Sequence, residues 1–156
     1  MTSLIGSKVE RKEDKRFLTG KGRYTADINL VHQTYASFVR SPHARAKINK
    51  VDTTIALKAP GVVRILTGDD LAKDKIGGLI AGWKIVSQDG KDMKVPPHPP
   101  LAKDSVNYVG DHVAIVIAET LEQARHAAEQ VNVSYKLQKA VVNTKDAMNS
   151  ESIYEG

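Results

Sequence analysis

Histidines at positions 32, 43, 98, 112 and 126 are the residues of this chain best suited to acid–base or metal chemistry. No two of them stand at the i, i+2 or i, i+4 spacing that would put a pair on one ion. A histidine site would have to be gathered from distant loops, with no carboxylate motif to anchor it. There is no cysteine, which excludes disulfides, thiolate zinc sites, iron–sulfur ligation and a cysteine nucleophile within the chain. Ser41 precedes His43 by two residues, but no third member and no Gly-x-Ser-x-Gly turn accompanies them, so the pair reads as structural. Gly20-x-Gly22 has part of a phosphate-loop pattern. It lacks the preceding strand, the third glycine and the following helix that would meet a pyrophosphate, and a tight turn explains the glycines better.

Asp92-Met-Lys-Val95 is similar to the Met-Lys tip of biotinyl carrier domains but lacks the apolar flank before it and the methionine after it. Charge narrows the function classes further. The formal net charge is +5 over 156 residues. Residues 1–23 hold seven Lys and Arg against Glu10, Glu13 and Asp14, so the basicity belongs to an N-terminal arm. Phe17 is the only aromatic in that arm, its acidic residues interrupt the positive run, and no nucleic-acid motif follows. An arm lying across a partner protein fits better than one on nucleic acid. No stretch approaches the roughly 20 apolar residues of a membrane span, and the N-terminus lacks a secretory apolar run. The expected setting is cytoplasmic, with no membrane partner.

The elements that must position any site are clearest at residues 107–135. Val113 to Ala118 is an unbroken apolar run, the pattern of a strand covered on both faces, and Ile115 and Ile117 are expected to be almost fully buried. Thr120, with Gln123 three residues on, forms a capping box that starts a helix. Leu121, Ala124, Ala128 and Val131 line its inner side, while Glu122, Arg125, His126 and Glu129 face water. A strand over 131–135 follows. Further strands are predicted at 34–39, 46–52 and 62–67, with a short helix capped by Asp52 or Thr53 and ended by Pro60-Gly61, and a turn or helix opening at Gly68. Residues 72–101 carry four glycines and four prolines, with 95–100 in extended polyproline form and a possible short strand over 80–86. A segment that long without regular structure is functional or ordered by a partner. Near the end, Asn143 can cap a final turn.

Several segments, in order, resemble a known family: residues 20–28 (GKGRYTADI), 38–48 (FVRSPHARAKI), 60–63 (PGVV) with 66–71 (LTGDDL), 101–102 with 106–110 (VNYVG), and 113–119 (VAIVIAE). Together they are similar to the N-terminal α/β-hammerhead domain of molybdenum hydroxylase large subunits, the family of xanthine dehydrogenase, aldehyde oxidase and aerobic carbon monoxide dehydrogenase. The resemblance implies an α+β fold, a mixed sheet with helices packed on it, related to barrel-sandwich hybrids. It also implies a division into a basic arm at 1–23, the hammerhead domain at 24–148 and a linker at 149–156. The molybdopterin contacts, the catalytic glutamate and the substrate-positioning residues of the family lie in a later region of the large subunit.

The chain is therefore expected to hold no catalytic, cofactor-binding or metal residues of its own. Molybdopterin-bound molybdenum belongs to the downstream region, and 2Fe–2S clusters and FAD to other domains or subunits. The function implied is that of a structural and subunit-contact domain of a molybdopterin-dependent hydroxylase or dehydrogenase. Its partners would be the molybdopterin-binding remainder and the iron–sulfur and flavin subunits. The alternative is a free-standing interaction module using the 72–101 segment or the arm. Interface candidates are Arg40, His43 and Arg45, on the turn after the first strand, and Trp83, the only tryptophan, which otherwise would fill a local core. The arm and the segment over 73–100 are expected to be mobile without a partner.

Overall fold

A computed structural model describes residues 5–6, 8–83 and 85–154. The first residues of the arm, Lys84 beside Trp83 and the last two residues of the expected linker lie outside the described residues. The chain divides into two units, residues 1–33 and 34–156.

In the first unit, charge and short length allow little regular structure. A five-residue helix, α1 (Asp14–Leu18), forms within the arm, with no buried residue. Gly20 then adopts φ +68°, and Lys21 N donates to Arg16 O at 2.9 Å. The glycine thus closes a helix end, where positive φ favours it, and does not open a phosphate-binding helix. The Phe17 ring stacks on Tyr24 at 5.6 Å, and a single 3₁₀ turn over Thr25–Asp27 follows.

The second unit is built from two antiparallel three-stranded sheets. Its strands are β1 (Tyr35–Arg40), β2 (Ala46–Asp52), β3 (Val62–Thr67), β4 (Ser105–Val106), β5 (His112–Ala118) and β6 (Asn132–Leu137). One sheet has the order β1-β5-β3 and the other β4-β2-β6. The expected mixed sheet is resolved into these two because the helix after β5, α3 (Leu121–Glu129), carries the chain from one sheet to the other. Strands β5 and β6 are therefore not neighbours, and no parallel pair arises from the crossover.

Local chemistry sets the helix ends. Thr120 Oγ1 accepts from Gln123 N at 3.2 Å and Gln123 Oε1 accepts from Thr120 N at 3.0 Å, which is the capping box read in the sequence. A second box opens α2 (Gly68–Lys73), where Asp70 Oδ2 accepts from both Thr67 N and Thr67 Oγ1. Gly68 is buried, and a Cβ there would come within 2.5 Å of the Ala102 carbonyl oxygen, so only glycine lets α2 start this close to the 101–103 backbone. The predicted helix after Asp52 is reduced to a 3₁₀ turn over Ala56–Lys58, while Asn143 caps the short α4 (Thr144–Ala147) as expected. The strand considered over 80–86 is absent among the described residues. In its place are one bridge between Val86 and Asp92 and a hydrogen bond from Leu79 N to His98 O at 2.8 Å.

Two buried clusters form the core. One, between the β1-β5-β3 sheet and α3, gathers Ile65, Ala114, Val116, Ala127 and Val131 with Ala56; the other gathers Ala46, Ile48, Ala102, Val106 and Val113. Val51 and Val133, opposite each other on β2 and β6, pack against both. Small alanines at 124 and 127, fully buried, let α3 lie close to the sheet. Ala127 takes a deeper place on that helix than Leu121.

Ile115 and Ile117 depart from expectation, since both are only half-buried while Val113, Ala114, Val116 and Ala118 have no exposed surface. The strand is covered on one face only, so by period-two alternation the isoleucines point to its outer face, and a β-bulge at its start alters the alternation there. Val39 pairs with Ala114, but Arg40 pairs with His112, leaving Val113 as the extra residue. The bulge lets Val113 and Ala114 both point inward, and His112 joins the isoleucines on the opposite, outer face. An unbroken apolar run gave no sign of this shift.

Candidate contact site

Strand β1 ends where Pro42 prevents further pairing, and a tightly bonded turn holds the residues beyond it. Ser41, 2% exposed, donates from its amide to Asp111 O at 2.8 Å and accepts at its carbonyl from Gly110 N at 2.8 Å. Its hydroxyl donates to His43 O and accepts from His43 N, both at 3.0 Å. Both capacities of Ser41 Oγ thus serve the turn, and the His43 ring meets the Tyr135 ring edge-on at 5.0 Å. This is the geometry of a structural turn, not of a nucleophile and its base. Burial pushes the Tyr135 phenol above its ordinary value near 10, against a smaller opposing pull from Ser41. Its hydroxyl is buried without a hydrogen bond of acceptable geometry.

The four interface candidates do not converge. Arg40, exposed, donates from Nη1 to Gly110 O at 3.1 Å, and its guanidinium lies 5.8 Å from the centre of the Phe38 ring. His43 and Arg45 are half-buried. Arg45 donates from Nη1 to Lys139 O at 3.3 Å, while its Nε is buried with no partner. It lines an open cleft of about 550 Å³ shared with Lys139, Asp146 and Glu151. The mixed charge of that lining selects no ligand class. Trp83 is 80% exposed within the glycine- and proline-rich segment, so it fills no core.

What the sequence reading did not gather is the outer face of the β1-β5-β3 sheet. Register places Ala36, Phe38 and Arg40 of β1 beside Ile117, Ile115 and His112 of β5, with Arg64 and Leu66 of β3 on the far side. Phe38 is 41% exposed and stacks on His112 at 4.3 Å. Period-two alternation in β1 was a visible signal for half of this face; the bulge that adds His112 was not. Burial, and next the charge of Arg40, hold the His112 imidazole below its ordinary value of 6.5.

No group of three or more His, Asp or Glu among the described residues is placed to hold a metal ion. With no cysteine in the chain, these residues offer no thiolates for an iron–sulfur cluster. No helix among the described residues is long and apolar enough to cross a membrane.

Fold and surface define an α+β domain of two antiparallel sheets bridged by a helix. Residues 19–139 match the model of the aldehyde oxidase and xanthine dehydrogenase a/b hammerhead domain, and the chain belongs to that family. It is 35% identical to the nicotine 6-hydroxylase large subunit of Paenarthrobacter nicotinovorans, a match that covers 99% of this chain and 18% of that protein. The carbon monoxide dehydrogenase large chain of Afipia carboxidovorans is 33% identical over 95% of this chain and 17% of its own length. Quinoline 2-oxidoreductase from Pseudomonas putida superposes with a TM-score of 0.80 at 33% identity, covering 94% of this chain and 18% of that one. The chain thus spans less than a fifth of the length of these relatives.

Proposed function

We propose that this chain is the structural and subunit-contact domain of a molybdopterin-dependent hydroxylase or dehydrogenase large subunit, with catalysis carried by the region that lies beyond the match. The observation that carries this reading is an asymmetry of coverage: 99% of this chain corresponds to 18% of a relative that is itself named a large subunit. Exposed Arg40 and Trp83 offer contact groups in keeping with it. In this reading molybdenum bound to molybdopterin supplies the redox chemistry elsewhere in the subunit, and 2Fe–2S clusters and FAD sit on other domains or subunits. The assembly is cytoplasmic. What the chain itself contributes is a rigid two-sheet body carrying Arg40 and Trp83 outward, with His43 and Arg45 buttressing the turn beneath.

Trp83, 80% exposed, and Ile80, 93% exposed, favour a second reading in which the glycine- and proline-rich segment makes the chain a free-standing interaction module. Reading the gene beyond the codon for Gly156, together with purification from the native cell, separates the two. Continuation into a molybdopterin-binding region, or co-purification with a separately encoded one, supports the large-subunit reading. A stop codon with no such partner overturns it.

A further inference from the structure

The residues after α4 return to the body of the second unit. Ile153 and Tyr154 are 40% and 42% exposed, whereas Val142 and Met148 before them are 86% and 88% exposed. Ser152 Oγ donates to the Tyr154 carbonyl oxygen at 2.6 Å, and Asn107 Nδ2 donates to the Tyr154 hydroxyl at 3.3 Å. Two clefts meet at this point. One, of about 400 Å³, runs between α2 and the stretch before β4, and Leu71, Ile76, Pro99, Leu101 and Ile153 are among its walls. The other, of about 290 Å³, lies between the two limbs of the glycine- and proline-rich segment, with Leu79, Ile80, Met93 and Val95 among its walls. Pro97 and Tyr154 line both. The limbs themselves are close, since Leu79 N donates to His98 O at 2.8 Å and a Cβ on Gly78 would come within 2.9 Å of that same oxygen.

We infer that residues 152–154 are a strap acting in cis: the Tyr154 ring holds the glycine- and proline-rich segment on the domain, and lifting the strap sets that segment loose, Trp83 included. The chemistry of the parts fits. Extended proline-rich chain is already ordered, loses little freedom on binding, and is recognised by aromatic side chains that pack against it. Here the aromatic side chain beside Pro97 comes from the same polypeptide. The segment has little of its own with which to bury itself, for Leu79, Ile80 and Trp83 are 62%, 93% and 80% exposed. Hydrogen bonds at its far end, from Ser87 N to Lys91 O and from Met93 N to Ile85 O, join the segment only to itself. The strap in turn is lightly fastened. Ile153 and Tyr154 remain partly in water and belong to neither buried cluster, so they can leave without opening the core. The inference does not depend on the proposed function, because the strap governs how Trp83 is presented in a large subunit and in a free-standing module alike.

Hydrogen exchange on the full chain tests this, with the Leu79 amide reporting the segment and the Val116 amide reporting the core. Ile153→Ser with Tyr154→Ala is expected to speed Leu79 exchange by about tenfold or more, the scale on which local opening responds to lost apolar cover, and to leave Val116 unchanged. Tyr154→Phe keeps the ring and deletes the hydroxyl, so its Leu79 exchange should match that of the unmutated chain, as should that of Met148→Ser at an exposed position. The fluorescence anisotropy of Trp83, the only tryptophan, should fall in the double variant and not in the other two. Leu79 exchange that is the same with and without the double substitution, slow or fast, overturns the strap. So does a Val116 amide that speeds up by the same factor, which would make Ile153 and Tyr154 part of the core. Tyr154→Phe behaving like the double variant overturns it as well, by assigning the hold to the hydroxyl and not to the ring.

Discussion

The Phe38 ring lies on the His112 imidazole at 4.3 Å, with 22° between the planes. The bulge opposite Val39 brings the two residues to one face, and burial with the nearby Arg40 charge keeps the imidazole below its usual value of 6.5. The fold therefore favours neutral His112. Stability from this preference is complete above about pH 6.5 and is lost as pH falls below it, because the unfolded chain binds the proton first. Urea midpoints measured at about pH 7.5 and about pH 5.5, on either side of the histidine range, should fall for the unmutated chain and fall less for His112→Gln. Equal falls in the two would remove His112 from the pH response.

The difference between the two faces of β5 should be visible in stability. Val116 has no exposed surface, whereas the larger Ile117 is half-buried. Val116→Ala is expected to cost about 2 kcal/mol, from lost burial plus the cavity left behind. Ile117→Ala should cost about 1 kcal/mol, although it deletes more atoms, since much of that side chain is already in water. The reverse ranking in denaturant titrations would mean that the outer face is the covered one.

Thr67 and Asp70 cap α2 reciprocally, and the two hydrogen bonds from Thr67 hold the Asp70 carboxylate below its ordinary range. That contribution is present above the unfolded carboxylate value and is lost as pH falls through the folded one. Thr67→Ala should lower stability by about 1 kcal/mol and raise the Asp70 pKa toward normal in a carboxyl NMR titration. An unmoved Asp70 would show that the backbone amide suffices.

Purified away from other subunits, the chain should carry no stoichiometric molybdenum or iron and no flavin band. Elemental analysis and an absorption spectrum decide this. Metal at one equivalent would show that residues which do not cluster among those described nevertheless assemble a site.

Legibility followed the range of the interactions. Thr120 and Gln123 lie three residues apart, and their capping box was readable because both partners belong to one turn. The strands over Ala46–Asp52 and Val62–Thr67 showed equally local patterns. The burial of Val113, by contrast, depends on a register shift against Val39, some seventy positions earlier in the chain, and periodicity within β5 holds no trace of it. β4 is two residues long, too short to show any period. The contact candidates Arg40 and Trp83 were found by residue type and breaker chemistry, and both are exposed. The band formed by Phe38, Leu66, Ile115 and Ile117 was missed because its members come from three strands that only the fold brings together.

Val51 and Val133, each touching both buried clusters, act as a clasp between the sheets. Neither sheet can loosen without opening a gap beside this pair, and a gap in a packed interior costs free energy on both sides at once. The second unit should for that reason melt as a single cooperative body, with one calorimetric transition and no half-melted species. A domain that resists partial opening transmits force: a load arriving at one sheet is passed to the other without being absorbed between them.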